Sequence, residues 1–181
     1  MTVTLKDGLF TFGSQEIVEV PPKLTVGGDI ENTNDSTQKA PLGILYRHKG
    51  AVYRYVKFDN GRSDVAAVAG GVLHWEALDP ANGIFTATSE YADGLGKSCL
   101  AGIILCVVTN GYYTWIQVGG KVNAKVAAST AVGDVMIYSA TDLTFGRCAA
   151  DANITGLPYG VALDGIDQYN KANVLLLNMI F

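Results

Sequence analysis

Along most of the chain, apolar residues come in short runs that alternate with polar residues and end at glycine-containing turns. Such runs recur about every 8–12 residues, the spacing typical of sandwiches and barrels. No stretch of ten or more residues repeats apolar side chains at the three- and four-residue intervals of an amphipathic helix. The pattern predicts an all-β fold, a small β-sandwich or barrel of short antiparallel strands. In the last third the candidate strands are Lys121 to Ala127, Gly133 to Tyr138, Tyr159 to Asp164 and Asn173 to Phe181.

Residues 43–58 predict a hairpin that turns at Lys49-Gly50. Counting outward from the turn places Tyr46 opposite Tyr53. One face then carries tyrosines and is expected to face the core, while the other face carries arginines. The tyrosine face consists of Ile44, Tyr46, Tyr53 and Tyr55, and the opposite face of Leu45, Arg47, Val52 and Arg54.

Basic residues are concentrated in and just after this hairpin, in a chain that is acidic overall. Within 16 residues, only Asp59 offsets Arg47, Lys49, Arg54, Lys57 and Arg62. One interpretation is a solvated face. The other is a docking surface for an acidic partner, which would steer association more than it adds affinity.

A second hairpin is predicted at Asn110-Gly111, a dipeptide that tolerates positive φ at both central positions of a type I′ turn. Its strands, Ile103 to Thr109 and Tyr112 to Val118, would be apolar on both faces. The predicted pairing puts Leu105 and Val107 with Thr114 and Ile116, and Ile104, Cys106 and Val108 with Tyr113 and Trp115.

Strands that are apolar on both faces lie either at the centre of a fold or against a neighbouring subunit. The apolar end of the chain, Val174 to Phe181, has the same character. Both interpretations stay open at this point. The candidate intersubunit residues are Leu105, Val107, Tyr113, Trp115, Leu175, Leu177 and Phe181.

The first 40 residues differ from the rest. Residues 27–39 contain one large apolar side chain, Ile30, so this stretch has little to bury. We therefore divide the chain into an N-terminal arm and polar linker, 1–40, and a β domain, 41–181, with the boundary near Pro41. Residues 1–40 are either an arm that reaches another subunit or an ordinary surface loop.

The high apolar and low charged content of the chain predicts that another molecule covers part of its surface. Hydrophobic residues make up 49% and charged residues 17% of the chain, and the mean hydropathy is +0.21. Soluble domains average about 25% charged residues. The net charge of −4 argues against nucleic acid as a partner, and no apolar run is long enough to span a membrane.

The motifs that suggest chemistry are incomplete. Gly94-Leu95-Gly96-Lys97-Ser98 has Tyr91 where a phosphate-binding loop requires glycine. His48 and His74 lack a paired spacing, and Cys99, Cys106 and Cys148 lack the spacing of metal ligands. We therefore expect no catalytic, metal-binding or cofactor-binding residues, and no enzyme activity.

A series of short motifs in the C-terminal half resembles the capsid decoration proteins of tailed bacteriophages, also called cement or head-stabilisation proteins. The resemblance extends from about Trp115 to Leu177, with weaker similarity over residues 43–58. It rests on Gly120-Lys121-Val122-Asn123-Ala124, Val132-Gly133-Asp134-Val135-Met136-Ile137, Pro158-Tyr159-Gly160-Val161-Ala162-Leu163 and Ala172-Asn173-Val174-Leu175-Leu176.

The resemblance implies a structural virion protein, assembled in the host cytoplasm, that trimerises on the capsid exterior. Its partners would be the major capsid protein, whose neighbouring subunits it would clamp, and other copies of itself. The chain departs from the shorter members of the family in residues 1–40 and in 64–97, a possible insertion or elaboration. A trimeric phage fibre or receptor-binding β module is the alternative, and a small hydrolase is a third possibility.

Overall fold

The computed structural model describes residues 33–95, 99–149 and 157–177. They form ten strands and two single turns of 3-10 helix, Pro80–Asn82 and Tyr91–Asp93. This confirms the all-β prediction. The strands are β1 (Leu45–His48), β2 (Ala51–Asp59), β3 (Val72–Asp79), β4 (Ile84–Thr88), β5 (Leu100–Ile104), β6 (Tyr113–Lys125), β7 (Val135–Ile137), β8 (Gly146–Cys148), β9 (Gly160–Ala162) and β10 (Lys171–Leu176).

Five strands close into a barrel. Their order is β2-β4-β3-β5-β6, and β6 pairs back with β2. All pairs are antiparallel except β2 with β4, which run parallel. The core includes fully buried Val56, Phe58, Leu73 and Ile116. Because β3 and β4 lie within residues 64–97, that segment supplies two of the five barrel strands.

A second sheet extends from the far half of β6. Its order is β6-β10-β9-β7-β8, and the pairs are antiparallel. A parallel bridge between Val126 and Phe145 joins the end of β6 to the chain that enters β8. The inner face of this sheet presents Met136, Ala162 and Val174 to the barrel core. The 13-residue strand β6 therefore belongs to both sheets.

Gly120 marks the place where β6 leaves the barrel for the second sheet. Its φ is +83°, and a Cβ added there would lie 2.5 Å from the carbonyl oxygen of Gly50. We expect Gly120→Ala to lower the free energy of unfolding by about 2 kcal/mol or more, because backbone strain and a backbone clash add. Gly111→Ala is the control, since Gly111 has a similar φ of +79° but open space around the added Cβ. Urea unfolding should show a clearly larger loss for Gly120→Ala, and equal losses would contradict the clash.

The Lys49-Gly50 hairpin forms as predicted, but its tyrosine face lies outside the barrel. Both turn residues have positive φ, +47° and +79°, and Tyr46 is opposite Tyr53. The tyrosines pack with Trp115 on the outer surface of β2 and β6. The barrel interior receives the other face of β2. We call this outer group the aromatic cluster; it comprises Ala40, Ile44, Tyr55 and Trp115, flanked by Leu42, Tyr46, Tyr53 and Tyr113.

The predicted register of the Asn110-Gly111 hairpin is wrong by one residue. The β5–β6 ladder places Ile104 opposite Ile116 and ends there, and of the two turn residues Gly111 alone has positive φ. The tip is held by other parts of the chain. Phe58 donates its N–H to Tyr112 O (2.8 Å) and accepts from Gly111 N (3.0 Å), and Thr109 N donates to Asn34 Oδ1 (2.9 Å). These contacts pull the tip toward β2, so the turn does not set the pairing.

Residues 33–40 lie against the barrel. Asp35 and Tyr113 exchange two backbone hydrogen bonds of 3.0 and 2.9 Å. The hydroxyl of buried Tyr55 donates to the Asp35 carboxylate at 2.9 Å and accepts from Lys39 N at 3.1 Å. This part of the predicted linker is therefore attached to the domain. Residues 1–32 lie outside the described residues, so an arm there stays a prediction.

Tyr55→Phe tests this attachment. Removing the hydroxyl leaves the Lys39 amide and the Asp35 carboxylate without that partner, at a cost of about 1–2 kcal/mol. We expect faster hydrogen exchange at the Lys39 amide and faster proteolysis within residues 33–40, with the barrel intact. Tyr46→Phe, in the same cluster, is the control. Unchanged exchange at Lys39 in Tyr55→Phe would contradict the account.

Candidate interaction surface

Part of the outer face of the second sheet, along β10, β9 and β7, is apolar. Strand alternation divides β10 and β9 into two sides. Val174, Leu176 and Ala162 point inward and are at most 3% exposed, whereas Leu175 and Val161 point outward. We define the apolar face as the outward residues Val135, Ile137, Val161, Leu163, Leu175 and Leu177.

The register brings these side chains together. Leu175 on β10 is opposite Val161 on β9, and Val161 is opposite Val135 on β7. Leu163, Leu175 and Leu177 are 44%, 42% and 49% exposed. Val135, Ile137 and Val161 are half-buried and continue this surface across β9 and β7. An apolar surface that spans three adjacent strands is typical of a site of protein association.

The polar border of this face lies on β6. Lys121 is opposite Leu175, and Asn123 is opposite Asn173. Lys121 and Asn123 are both exposed. An apolar centre with a polar rim is the usual composition of a protein–protein interface.

The predicted intersubunit residues lie in different parts of the structure and do not form one surface. Leu175 and Leu177 lie on the apolar face, and Phe181 lies outside the described residues. Leu105 and Tyr113 are half-buried, and Val107, 68% exposed, lies at the tip between β5 and β6. The prediction that Trp115 contacts another subunit is wrong, because Trp115 is 4% exposed and is covered by the aromatic cluster of its own chain.

The predicted basic docking surface does not form as one patch. Arg47 and Lys49 are exposed, but Arg47 pairs with Val52 and so lies on the face opposite Tyr53, Tyr55 and Lys57. Arg62 forms a 3.1 Å ion pair with Asp93. Arg54 was expected on the surface, and that expectation is wrong.

Arg54 is 2% exposed and points into the barrel. Its guanidinium carbon lies 5.6 Å from the ring centre of Trp75 and 5.9 Å from that of Phe85. Burial lowers the pKa of Arg54 to about 10, so the group stays charged at neutral pH. The side chain is therefore a core residue held by cation–π contacts and cannot dock a partner.

His74 is also a core residue, 1% exposed on β3. The rings of Tyr91 and Tyr138 lie edge-on to it, with centroids at 5.9 and 6.0 Å. Burial lowers the pKa of His74 to about 4, opposed by the negative charge of Asp142. The imidazole is therefore neutral at pH 7. A neutral, buried ring fits a role in packing and not one in proton transfer.

Other candidate chemistry gains no support from the described parts of the chain. Within them, no three His, Cys, Asp or Glu side chains are placed to hold a metal ion, and Cys99, Cys106 and Cys148 form no disulfide with one another. Gly96, Lys97 and Ser98 of the incomplete phosphate-loop motif lie outside the described residues. Neither 3-10 turn is long and apolar enough to be a membrane-spanning helix.

Two residues of the apolar face, Leu175 and Leu177, are predicted from the sequence. The other four lie in predicted strands, but the sequence pattern does not show which side of those strands faces outward; they are Val135, Ile137, Val161 and Leu163. The available signal is the alternation of strand residues, because each of the four is next to a buried residue in the sequence, either Met136 or Ala162. Only the strand order β10-β9-β7 shows that they adjoin Leu175.

Comparison with known proteins gives no assignment to a family. No protein-family model matches the sequence, and no curated protein matches it. Among solved structures, the chain is similar to the crystal structure of the head fiber gp8.5 N base in bacteriophage phi29. The two are 12% identical, with a TM-score of 0.48, over 72% of this chain and 98% of that chain. Values this low assign neither a family nor a function.

Proposed function

We propose that this protein is a structural component of a bacteriophage virion. It binds the outer surface of the capsid and stabilises contacts between neighbouring major capsid subunits. The observation that carries the proposal is the apolar face, a surface suited to association. The proposal assigns the protein no catalytic role.

The motifs behind the resemblance to decoration proteins support this proposal because they occupy adjacent strands. Residues 120–124 lie in β6, 135–137 form β7, 160–162 form β9, and 172–176 lie in β10. These four strands are consecutive in the second sheet, in the order β6-β10-β9-β7. The resemblance thus corresponds to one structural unit, and the apolar face is its outer surface.

The proposed assembly is a homotrimer in which the apolar face is the seam between protomers. A specific interface buries about 1,600 Å² in total. Threefold symmetry would then give the trimer three simultaneous capsid contacts, so that individually weak contacts add through avidity. The capsid-facing surface would include Arg47 and Lys49 at the tip of the β1–β2 hairpin and the N-terminal arm, with assembly in the host cytoplasm.

Leu175→Asp tests the seam. A carboxylate at its centre would have to lose its hydration on association, so we expect the variant to be monomeric at micromolar concentration where the wild type is trimeric. Ile84→Asp is the matched control, because Ile84 is also 42% exposed but lies on β4, outside the apolar face. Multi-angle light scattering gives the masses. A wild-type monomer, or the same loss of mass in both variants, would overturn the seam.

Capsid binding is tested separately by co-sedimentation with purified heads that lack the protein. We expect saturable binding of the wild type and weaker binding of Leu175→Asp. If the wild type trimerises but does not bind heads, the seam stands and the capsid role fails.

A further inference from the structure

A cleft of about 390 Å³ opens at the end of the second sheet, where β6 ends. Its walls are the end of β6, the chain between β7 and β8, and the turn before β10. The volume lies within the range of about 300–1,000 Å³ that is usual for small-molecule sites. The polar side chains that line it are Lys125, Ser139, Thr141, Thr144, Tyr169 and Asn170.

The lining is rich in neutral hydrogen-bonding groups and has one positive charge. Three hydroxyls, a phenol and an amide accompany the Lys125 ammonium group, and none of the described residues that line the cleft is acidic. The carboxylates of Asp142 and Asp167, near the cleft residues in the sequence, accept hydrogen bonds from backbone N–H groups. Asp142 accepts from Tyr91 N at 2.6 Å, and Asp167 accepts from Tyr169 N and Lys171 N at 2.8 and 2.9 Å.

Hydroxyls and amides both donate and accept hydrogen bonds, so this set matches a ligand that carries several hydroxyl groups. The Lys125 ammonium group favours a ligand that also carries a negative charge.

Tyr169 lines the cleft and is largely exposed. Its side chain is 67% exposed, the second highest value among the exposed large hydrophobic residues of the described chain. The turn that carries it is held firmly, because Asn170 N donates to Asp167 O at 3.1 Å and Asn170 has a φ of +55°. An exposed aromatic ring beside hydroxyl groups offers an apolar surface for the C–H face of a sugar ring.

We propose that this cleft binds a sugar unit that carries a carboxylate or phosphate group. The ring lies on Tyr169, and its anionic group pairs with Lys125. Ser139 Oγ already accepts from Thr141 N at 3.0 Å and so donates to a sugar hydroxyl, whereas Thr144 Oγ1 already donates to Asp142 O at 3.1 Å and so accepts from one. The Thr141 hydroxyl bonds to a third. The site shares no residue with the apolar face. Sugar binding therefore goes beyond the proposed capsid role and stands or fails independently of it.

Saturation-transfer difference NMR on the full chain tests the proposal with four probes. These are glucuronic acid, glucose 1-phosphate, N-acetylglucosamine and inorganic phosphate, the last followed by phosphorus line broadening. We expect transfer to the protons of both anionic sugars and less to the neutral one. No transfer to any sugar at millimolar concentration would overturn the proposal. Phosphate binding as tightly as glucose 1-phosphate would also overturn it, because the sugar ring would then contribute nothing.

Three variants locate the site. Tyr169→Ala should weaken binding by about tenfold or more, which corresponds to about 1.4 kcal/mol, while Tyr169→Phe keeps the ring and the affinity. Lys125→Met should abolish the preference for anionic over neutral sugars. Thermal unfolding verifies that each variant is folded. Undiminished binding in folded Tyr169→Ala would place any sugar site elsewhere and overturn this one.

Discussion

Lowering the pH from 7 to 4 is expected to destabilise the protein by about 3 kcal/mol through His74 alone. The pKa of His74 is about 4 in the folded protein against an ordinary value of 6.5. As the pH falls below 6.5, the unfolded chain therefore takes up a proton that the folded protein does not. One pKa unit corresponds to about 1.4 kcal/mol, so the loss accumulates between pH 6.5 and 4 and levels off below pH 4.

His74→Leu separates this effect from the titration of carboxylates. The variant should lose most of the stability change between pH 6.5 and 4, although other groups still titrate in it. Free energies of unfolding from urea titrations at pH 7, 5.5 and 4 provide the comparison. Equal pH dependence in the wild type and His74→Leu would contradict the buried, neutral state of His74.

The second large effect is expected at Arg54. Arg54→Ala removes a long side chain that packs over Trp75 and Phe85, and should cost about 3 kcal/mol or more. Arg54→Met restores much of the volume without the charge. It should cost less than half as much, because a well-packed apolar side chain can replace a buried ion.

Arg47→Ala is the control for Arg54. Arg47 is exposed on β1, so its removal should change the free energy of unfolding by no more than about 0.5 kcal/mol. Urea unfolding of the three variants gives the values. If Arg54→Met is as unstable as Arg54→Ala, the contribution of Arg54 comes from its charge and hydrogen bonds, and the packing account is wrong.

Local signals in the sequence predicted the local structure. The all-β class follows from period-two runs between turns, and the Lys49-Gly50 hairpin follows from turn residues that accept positive φ. The same reasoning gave the wrong register at Asn110-Gly111, because there the deciding hydrogen bonds come from Phe58 and Asn34. No local pattern contains those contacts.

In β2 the predicted alternation of side chains is correct, but the side that was expected to face the core is wrong. Arginine is ordinarily exposed and tyrosine is often part of a core, which suggested that the Tyr55 face points inward. The side of Arg54 also carries Val52, Val56 and Phe58, and it is this side that fills the barrel. Those three apolar residues were the signal that favoured the observed orientation.

The candidate surface was predictable only in part for a similar reason. Leu175 and Leu177 stand out as large apolar residues near the end of the chain. Their neighbours Val161 and Val135 come 14 and 40 residues before Leu175 in the sequence, and the pairing of β10 with β9 and of β9 with β7 brings them together. Long-range strand order is the information that the sequence pattern lacks.

The proposed role places this chain on a bacteriophage head, and electron microscopy of the purified virions tests that claim most directly. The account predicts density for the five-stranded barrel on the outer surface of the head, in contact with neighbouring major capsid subunits. It further predicts that the apolar face of each copy meets another copy. Virions that lack the protein, or that carry it only on the tail, would contradict the account.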